Sequence, residues 1–181
     1  MIYQIRGRVV AVEEKGVVLD CGGLGYFVHT TESFPLDSEA TLYTHFIVKE
    51  DSQELFGFAT TEARNFFGLL LGVSGIGPRS AFAMLSLYPI GTLAHAIQQG
   101  DAKTISSVPG IGKKTAEKVV IDLKDKVALY ALSTSSPKSD LVEALMSLGY
   151  RDTQIRDVVQ NIDDTLPIQK QITIALQLLQ K

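Results

Sequence analysis

Lys113 and Lys114 follow a Gly-Ile-Gly turn, and Arg79 holds the place of Lys114 behind an earlier copy of that turn. The first copy reads Val73-Ser74-Gly75-Ile76-Gly77-Pro78-Arg79-Ser80-Ala81. The second reads Val108-Pro109-Gly110-Ile111-Gly112-Lys113-Lys114-Thr115-Ala116. Gly75 maps to Gly110 and Gly77 to Gly112, a spacing of 35 residues (110 − 75). Glycine permits the positive φ of a tight turn and a close backbone approach to a ligand. A helix that starts behind such a turn presents unpaired N–H groups, and a phosphate fits over them. Cations at that spot point to phosphate holding, with Gly75, Gly77, Pro78, Arg79, Gly110, Gly112, Lys113, Lys114 and Lys118 as the candidate contacts. A nucleotide-binding P-loop is excluded: Ser107 stands where that motif needs its first glycine, and Lys114 stands where it needs Ser or Thr. No carboxylate pair beside a nucleophile and no metal-ligand cluster appears, so the chain is assigned neither catalysis nor cofactor.

The two turns, each with apolar helical sequence on both sides, resemble the helix-hairpin-helix motif, which grips nucleic-acid backbone without reading bases. One copy is weak evidence; two in register, each with a basic residue just after, are fairly strong. A plain helical corner with packing glycines is the blander alternative. The formal net charge of −3 is not that of a broadly basic nucleic-acid binder. Basic charge must therefore be local. Lys118, Lys124 and Lys126 extend it along one helix face, which could equally be a solvated face. Opposite in sign, Glu50 and Asp51 sit between two predicted strands. An acidic turn is commonly just solvated; against DNA, two carboxylates would keep phosphates out of one place.

These groups need a frame. The 181 residues are 45% hydrophobic, ample for a core, and the single Cys21 excludes a disulfide framework. With no signal peptide and no apolar run long enough to span a membrane, a reducing cytoplasmic setting is expected. Residues 1–62 predict five strands: Ile2 to Val12 with a bulge or bend at Gly7, Val17 to Cys21, Leu24 to Thr30, Ala40 to Lys49, and Glu54 to Phe58. That pattern suggests a closed oligonucleotide-binding (OB) barrel. Tyr26, Phe27, Tyr43, Phe46, Phe56 and Phe58 could stack bases, although such residues more often fill a core. Residues 63–131 predict helices around the two turns, starting near Thr60 and Thr61. They include a short helix at Asp101, a helix ended by Gly100 and a long one from Lys114 to Tyr130. Residues 132–139 read as a polar linker. Residues 140–181 predict three short helices with a thin core, the third opened by Pro167. Their acidic tilt favours a protein partner over DNA.

The order of barrel, tandem hairpins, linker and three-helix bundle resembles the RuvA family of Holliday-junction-binding proteins over the whole chain. The most specific stretches are Ile5-Arg6-Gly7, Gly22-Gly23-Leu24-Gly25-Tyr26, Thr44 to Asp51, Leu55-Phe56-Gly57-Phe58 and Val108 to Glu117. Leu148-Gly149-Tyr150 looks like the first loop of the family's ubiquitin-associated (UBA)-like third domain. The linker is short beside the family's. The resemblance implies a homotetramer on an open four-way junction and leaves open whether a second tetramer completes an octamer on the DNA. It implies that the hairpins hold minor-groove backbone and that Glu50 and Asp51 form an acidic pin at the crossover. It also implies a third domain that binds the RuvB ATPase through Leu145, Leu148, Tyr150 and Leu176, with the RuvC resolvase sharing the junction. The chain itself would be non-catalytic. Two rivals stand beside it. A helix-hairpin-helix glycosylase or lyase would need an acid roughly 20 residues past the second hairpin, where Asp140 is the one candidate. A protein scaffold would have hairpins that bind nothing.

Overall fold

The structure, a computed structural model, describes residues 1–128, 130, 138–150, 152–159, 162, 166 and 168–179. They fall into two compact units, Met1–Ser86 and Leu87–Lys181.

The first unit opens with five strands: β1 (Gln4–Glu13), β2 (Gly16–Asp20), β3 (Gly25–His29), β4 (Glu39–Val48) and β5 (Gln53–Phe58). They close into a barrel in the order β1-β2-β3-β5-β4. Strict alternation along β1 sends Ile5 and Val9 inward, where they meet Val17, Leu19, Val28, Ala40, Leu42 and Leu55. Closure depends on β1 serving two partners. Its first half pairs with β4 and its second half with β2. Gly7 sits where the strand passes from one to the other. A Cβ there would stand 2.4 Å from the Asp20 carbonyl oxygen, so no other residue fits. The bulge itself lies further along than the predicted Gly7. Val9 pairs with Leu19 but Ala11 with Val18, leaving Val10 as the extra residue. The last seam is the parallel contact of β3 with β5.

Two helices complete this unit, α1 (Thr61–Leu71) and the start of α2 (Pro78–Leu87). The Thr60 hydroxyl caps α1 by accepting from the Ala63 amide at 3.1 Å. Helix α1 is tied to the barrel by Arg64, whose Nε donates to the Thr44 carbonyl at 2.8 Å. The same guanidinium lies 4.0 Å from the centre of the Tyr3 ring. Phe66, Phe67 and Leu70 are buried; Leu71 is only half-buried. Phe56 and Phe58 are buried too, so two of the six proposed base-stackers are core residues. Burying a phenylalanine is worth about 1.5–3 kcal/mol, more than an exposed stacking platform would retain in the free protein. Tyr26, Phe27 and Phe46 instead line a cleft with His29 and Glu54.

In the second unit, α3 (Ile90–Gln99) ends at Gly100 in the left-handed region, as its sequence predicts. Asp101 caps α4 (Ala102–Ser106), accepting from the Lys103 and Thr104 amides. The Thr104 hydroxyl, followed by those amides, holds the Asp101 carboxyl below its ordinary pKa. Helix α5 runs Lys113–Leu123, which corrects the expected helix to Tyr130. The Lys126 amide donates to Leu123 three residues back, tightening the ladder into a turn. Val127 and Tyr130 are buried beyond that turn, and residues 128 and 130 are helical again, so the apolar spacing carries across a break in the helix.

Three further helices, α6 (Lys138–Ser147), α7 (Asp152–Val159) and α8 (Ile168–Leu179), share one core of Leu141, Val142, Leu145, Ile155, Val158, Val159, Ile162 and Ala175. Helix α6 begins at Lys138, inside the stretch read as linker. Residues 132–137 of that stretch and Pro167 lie outside the described residues. Gly149, at φ 86°, closes α6. The Gly149 amide donates to Met146 and the Tyr150 amide to Leu145, the paired bonds of a Schellman cap. Tyr150 then packs on the core that contains Leu145.

Candidate nucleic-acid interface

The first Gly-Ile-Gly turn joins α1 to α2 and the second joins α4 to α5. Their backbones superimpose in kind. Gly75 and Gly110 take φ of 94° and 84°. The Ile76 amide donates to Val73 at 3.0 Å and the Ile111 amide to Val108 at 3.1 Å. Ala81 donates to Gly77 at 3.0 Å, and Ala116 to Gly112 at 2.9 Å. Side chains follow the same register. Leu70 and Ile105, Val73 and Val108, Ala81 and Ala116, and Met84 and Val119 are all buried, and Ile76 and Ile111 are 6% and 5% exposed. Each hairpin therefore carries its own small core, built from residues close in sequence, and that core sets the turn.

The second glycine of each turn has a different reason. Gly112 has φ −78° and ψ 163°, which any residue adopts. A Cβ added at Gly77 or Gly112 would meet nothing within 4 Å. Neither strain nor internal packing asks for glycine there. What the missing Cβ provides is bare backbone facing outward, open to close approach. Behind it α5 begins without a side-chain cap, and Ala116 is its first residue bonded within the helix. The Lys113, Lys114 and Thr115 amides are left to an outside acceptor. Helix α2 offers only the Arg79 and Ser80 amides, because Pro78 carries no N–H.

Charge coincides with these amides. Arg79, Lys113, Lys114 and Lys118 are all exposed. Lys114 and Lys118 stand four apart on α5 and so share a face. None of the four forms an ion pair among the described residues. Two helix N-termini of partial positive charge, each with exposed cations and bare glycine, can hold phosphodiester backbone and carry no base-reading group.

The glycines make a test that separates fold from ligand. Gly75→Ala and Gly110→Ala should each cost about 1–2 kcal/mol, because their φ is left-handed. Gly77→Ala and Gly112→Ala should cost less stability and more DNA affinity, since the added methyl faces outward. Thermal unfolding and a duplex-binding titration on the four variants read the two effects apart. Equal losses of both quantities at all four positions would refute the distinction.

Glu50 and Asp51 occupy the tip of the β4–β5 hairpin, closed by the Lys49 amide donating to Ser52 at 2.8 Å. Both are exposed. The adjacent cation is turned away from them: Lys49 Nζ lies 3.6 Å from Glu54. Among the described residues no cation pairs with the tip, so it carries two uncompensated negative charges.

The four expected partner contacts separate. Leu145 is 0% exposed, in the middle of the bundle core, so it cannot touch a partner and is corrected to a packing residue. Tyr150 and Leu176 are half-buried against that core. Leu148 is 58% exposed. Met146 and Leu178 are exposed apolar residues that the sequence reading missed. Met146 stands four residues past buried Val142, and Leu178 three past buried Ala175, so helical spacing gave no signal that they are exposed.

Three family models match the chain in order: the RuvA N terminal domain at residues 1–57, a SAM-like helix-hairpin-helix tandem at 67–125, and the RuvA C-terminal domain at 136–180. A protein of Trichlorobacter lovleyi is 38% identical over 200 residues, covering all of both chains. It is named "Holliday junction branch migration complex subunit RuvA". The chain belongs to the RuvA family. Relatives of the same name include one from Pelobacter propionicus, 39% identical, and one from Christiangramia forsetii, 40% identical, each covering 90% of both chains. The SAM-like helix-hairpin-helix match spans both Gly-Ile-Gly turns, and the RuvA N-terminal match covers the barrel strands through Gly57, including the acidic tip.

Proposed function

We propose that this chain binds four-way DNA junctions without reading sequence, as the non-catalytic subunit of a branch migration complex. The observation that carries the reading is the pair of matched hairpins whose uncapped helix N-termini, bare glycines and unpaired cations coincide. Gly75, Gly77, Pro78, Arg79, Gly110, Gly112, Lys113, Lys114 and Lys118 hold phosphodiester backbone. Glu50 and Asp51 repel strands from the centre of the junction. The working division is a barrel at 1–62, tandem hairpins at 63–131, a linker at 132–139 and a bundle at 140–181. The barrel assembles a homotetramer, and the bundle binds the RuvB ATPase, which supplies the chemistry of ATP hydrolysis. The RuvC resolvase acts on the same junction, in the cytoplasm. No observation favours the glycosylase or scaffold readings; Asp140 lies in the first helix of the bundle.

A gel shift on a synthetic four-way junction and on a linear duplex of the same arm sequence tests the proposal. Tighter binding of the junction is expected, and equal binding of both would remove the junction reading. The bundle has its own test. A chain ending at Ser136 keeps both hairpins and should bind junction at near wild-type affinity. It should fail to support branch migration with RuvB and ATP, because exposed Leu148, Met146 and Leu178 are gone. Normal branch migration by the truncated chain would take the partner surface away from the bundle.

A further inference from the structure

The internal repeat shows which residues of the first hairpin do something that the second does not. The five buried pairs named above keep their apolar type across the 35-residue spacing (110 − 75). Other positions change residue type or size, buried Phe66 against Asp101 among them. Two of these are the aromatics Phe67, which corresponds to Ala102, and Phe82, which corresponds to Glu117. Glu117 is exposed on α5, so a hairpin needs no apolar group at that place to fold. In the first hairpin both aromatics turn to the barrel. The Phe67 ring stacks 5.2 Å from Phe56 and lies 5.1 Å from Phe58. The Phe82 ring lies 5.4 Å from Phe56 and 6.3 Å from Phe58. Ring pairs at these separations have preferred orientations, so the cluster fixes angle as well as distance.

Phe56 and Phe58 stand on β5, the strand that leads directly out of the acidic tip. Phe56 stands five residues after Asp51, at most roughly 16 Å at the usual strand rise. On the other side, Phe82 is three residues past Arg79 on α2 and so faces the same way one turn on. A continuous rigid path thus runs from Glu50 and Asp51, along β5, through the four phenylalanines, to the first phosphate clamp. All of it lies within the compact unit Met1–Ser86. We propose that Phe82, with Phe67, is a positioning residue for junction selection: it locks the first clamp at a set distance and angle from the acidic tip. The tip then discriminates only because DNA held at Arg79 is presented to it in one geometry. This rests on the junction reading above and names what makes that reading selective.

The test uses the full chain carrying Phe82→Gln, the uncharged counterpart of the residue that the second repeat bears. Duplex affinity should stay close to wild type. The junction-over-duplex ratio should fall on the order of tenfold, the scale of a coupling between two sites. Phe82→Leu, which keeps the apolar contact, should restore most of the ratio. In a chain already carrying Glu50→Gln with Asp51→Asn, adding Phe82→Gln should lower the ratio no further, because the two changes act through one element. An unchanged ratio in Phe82→Gln would overturn the proposal. So would a parallel loss of junction and duplex binding, which is the signature of simple unfolding, or a further loss in the combined variant. The junction reading has separate arms. Wild type that fails to prefer the junction would defeat that reading whatever Phe82→Gln does, whereas a tip variant with an unaltered ratio would remove the role of Glu50 and Asp51, and this proposal with it, but leave junction binding standing.

Discussion

Replacing Lys113 and Lys114 together by alanine should weaken junction and duplex binding alike, by about a hundredfold at physiological salt. Each lost charge-assisted contact is worth about 1.5 kcal/mol, which is about tenfold. The backbone amides of α5 survive the change, so residual binding through them is expected. The salt dependence gives an independent reading. Two fewer neutralised phosphates lower the slope of log K against log salt by about two units at most. Arg79→Ala should have a smaller effect on both quantities. Pro78 deprives α2 of one amide, and the first turn carries one cation where the second carries two. The measurement is a titration of both substrates at several salt concentrations. Unchanged affinity in the double variant would mean that the uncapped helix end is a solvated corner. A larger effect from Arg79→Ala would reverse the assignment of the stronger clamp.

Neutralising the hairpin tip, as Glu50→Gln with Asp51→Asn, should do the opposite and raise affinity for linear duplex. In the proposed tetramer eight such carboxylates, two from each of four chains, surround the crossover. Each repulsion removed is worth on the order of 1 kcal/mol at partly exposed separations. Their charge is free to act because Lys49 is engaged 3.6 Å away by Glu54 rather than by the tip. A junction has an open centre that tolerates the charges; a duplex crossing the same place does not. Duplex affinity should therefore gain more than junction affinity, and the preference between them should fall while junction binding persists. Comparing both proteins with both substrates at one salt concentration decides it. An identical junction-to-duplex ratio would reduce Glu50 and Asp51 to an ordinary solvated turn.

The features legible in the chain are those whose physics is local. Both hairpins can be read because Leu70, Val73, Ile76, Ala81 and Met84 enclose one turn within about four helical turns of chain, and the second copy repeats the pattern. Gly100 and Gly149 were readable as helix stops, since a left-handed residue is a property of its own backbone. The five strands follow from their β-branched and aromatic content between turn residues. The clamp cations were readable because position in a motif and charge are both written in residue type.

What tertiary structure alone decided is which surface each apolar residue meets. An aromatic residue type is the same whether it stacks a base or fills a core. Phe56 and Phe58 became core because α1 and α2 lie against β5, and no pattern within β5 reveals that. Leu145 has the spacing of an exposed contact and of a buried one alike; the arrival of α7 and α8 buries it. Lys49 could have neutralised the tip beside it, but the β4–β5 register sets Glu54 within reach instead. Helix α5 stops at Leu123 while its apolar spacing runs on, because periodicity reports which side is buried and not whether the ladder continues. Residue types and spacing state what a segment can do alone. The acidic tip and the first clamp act together only through contacts between residues far apart in sequence, and those contacts exist only once the chain has folded.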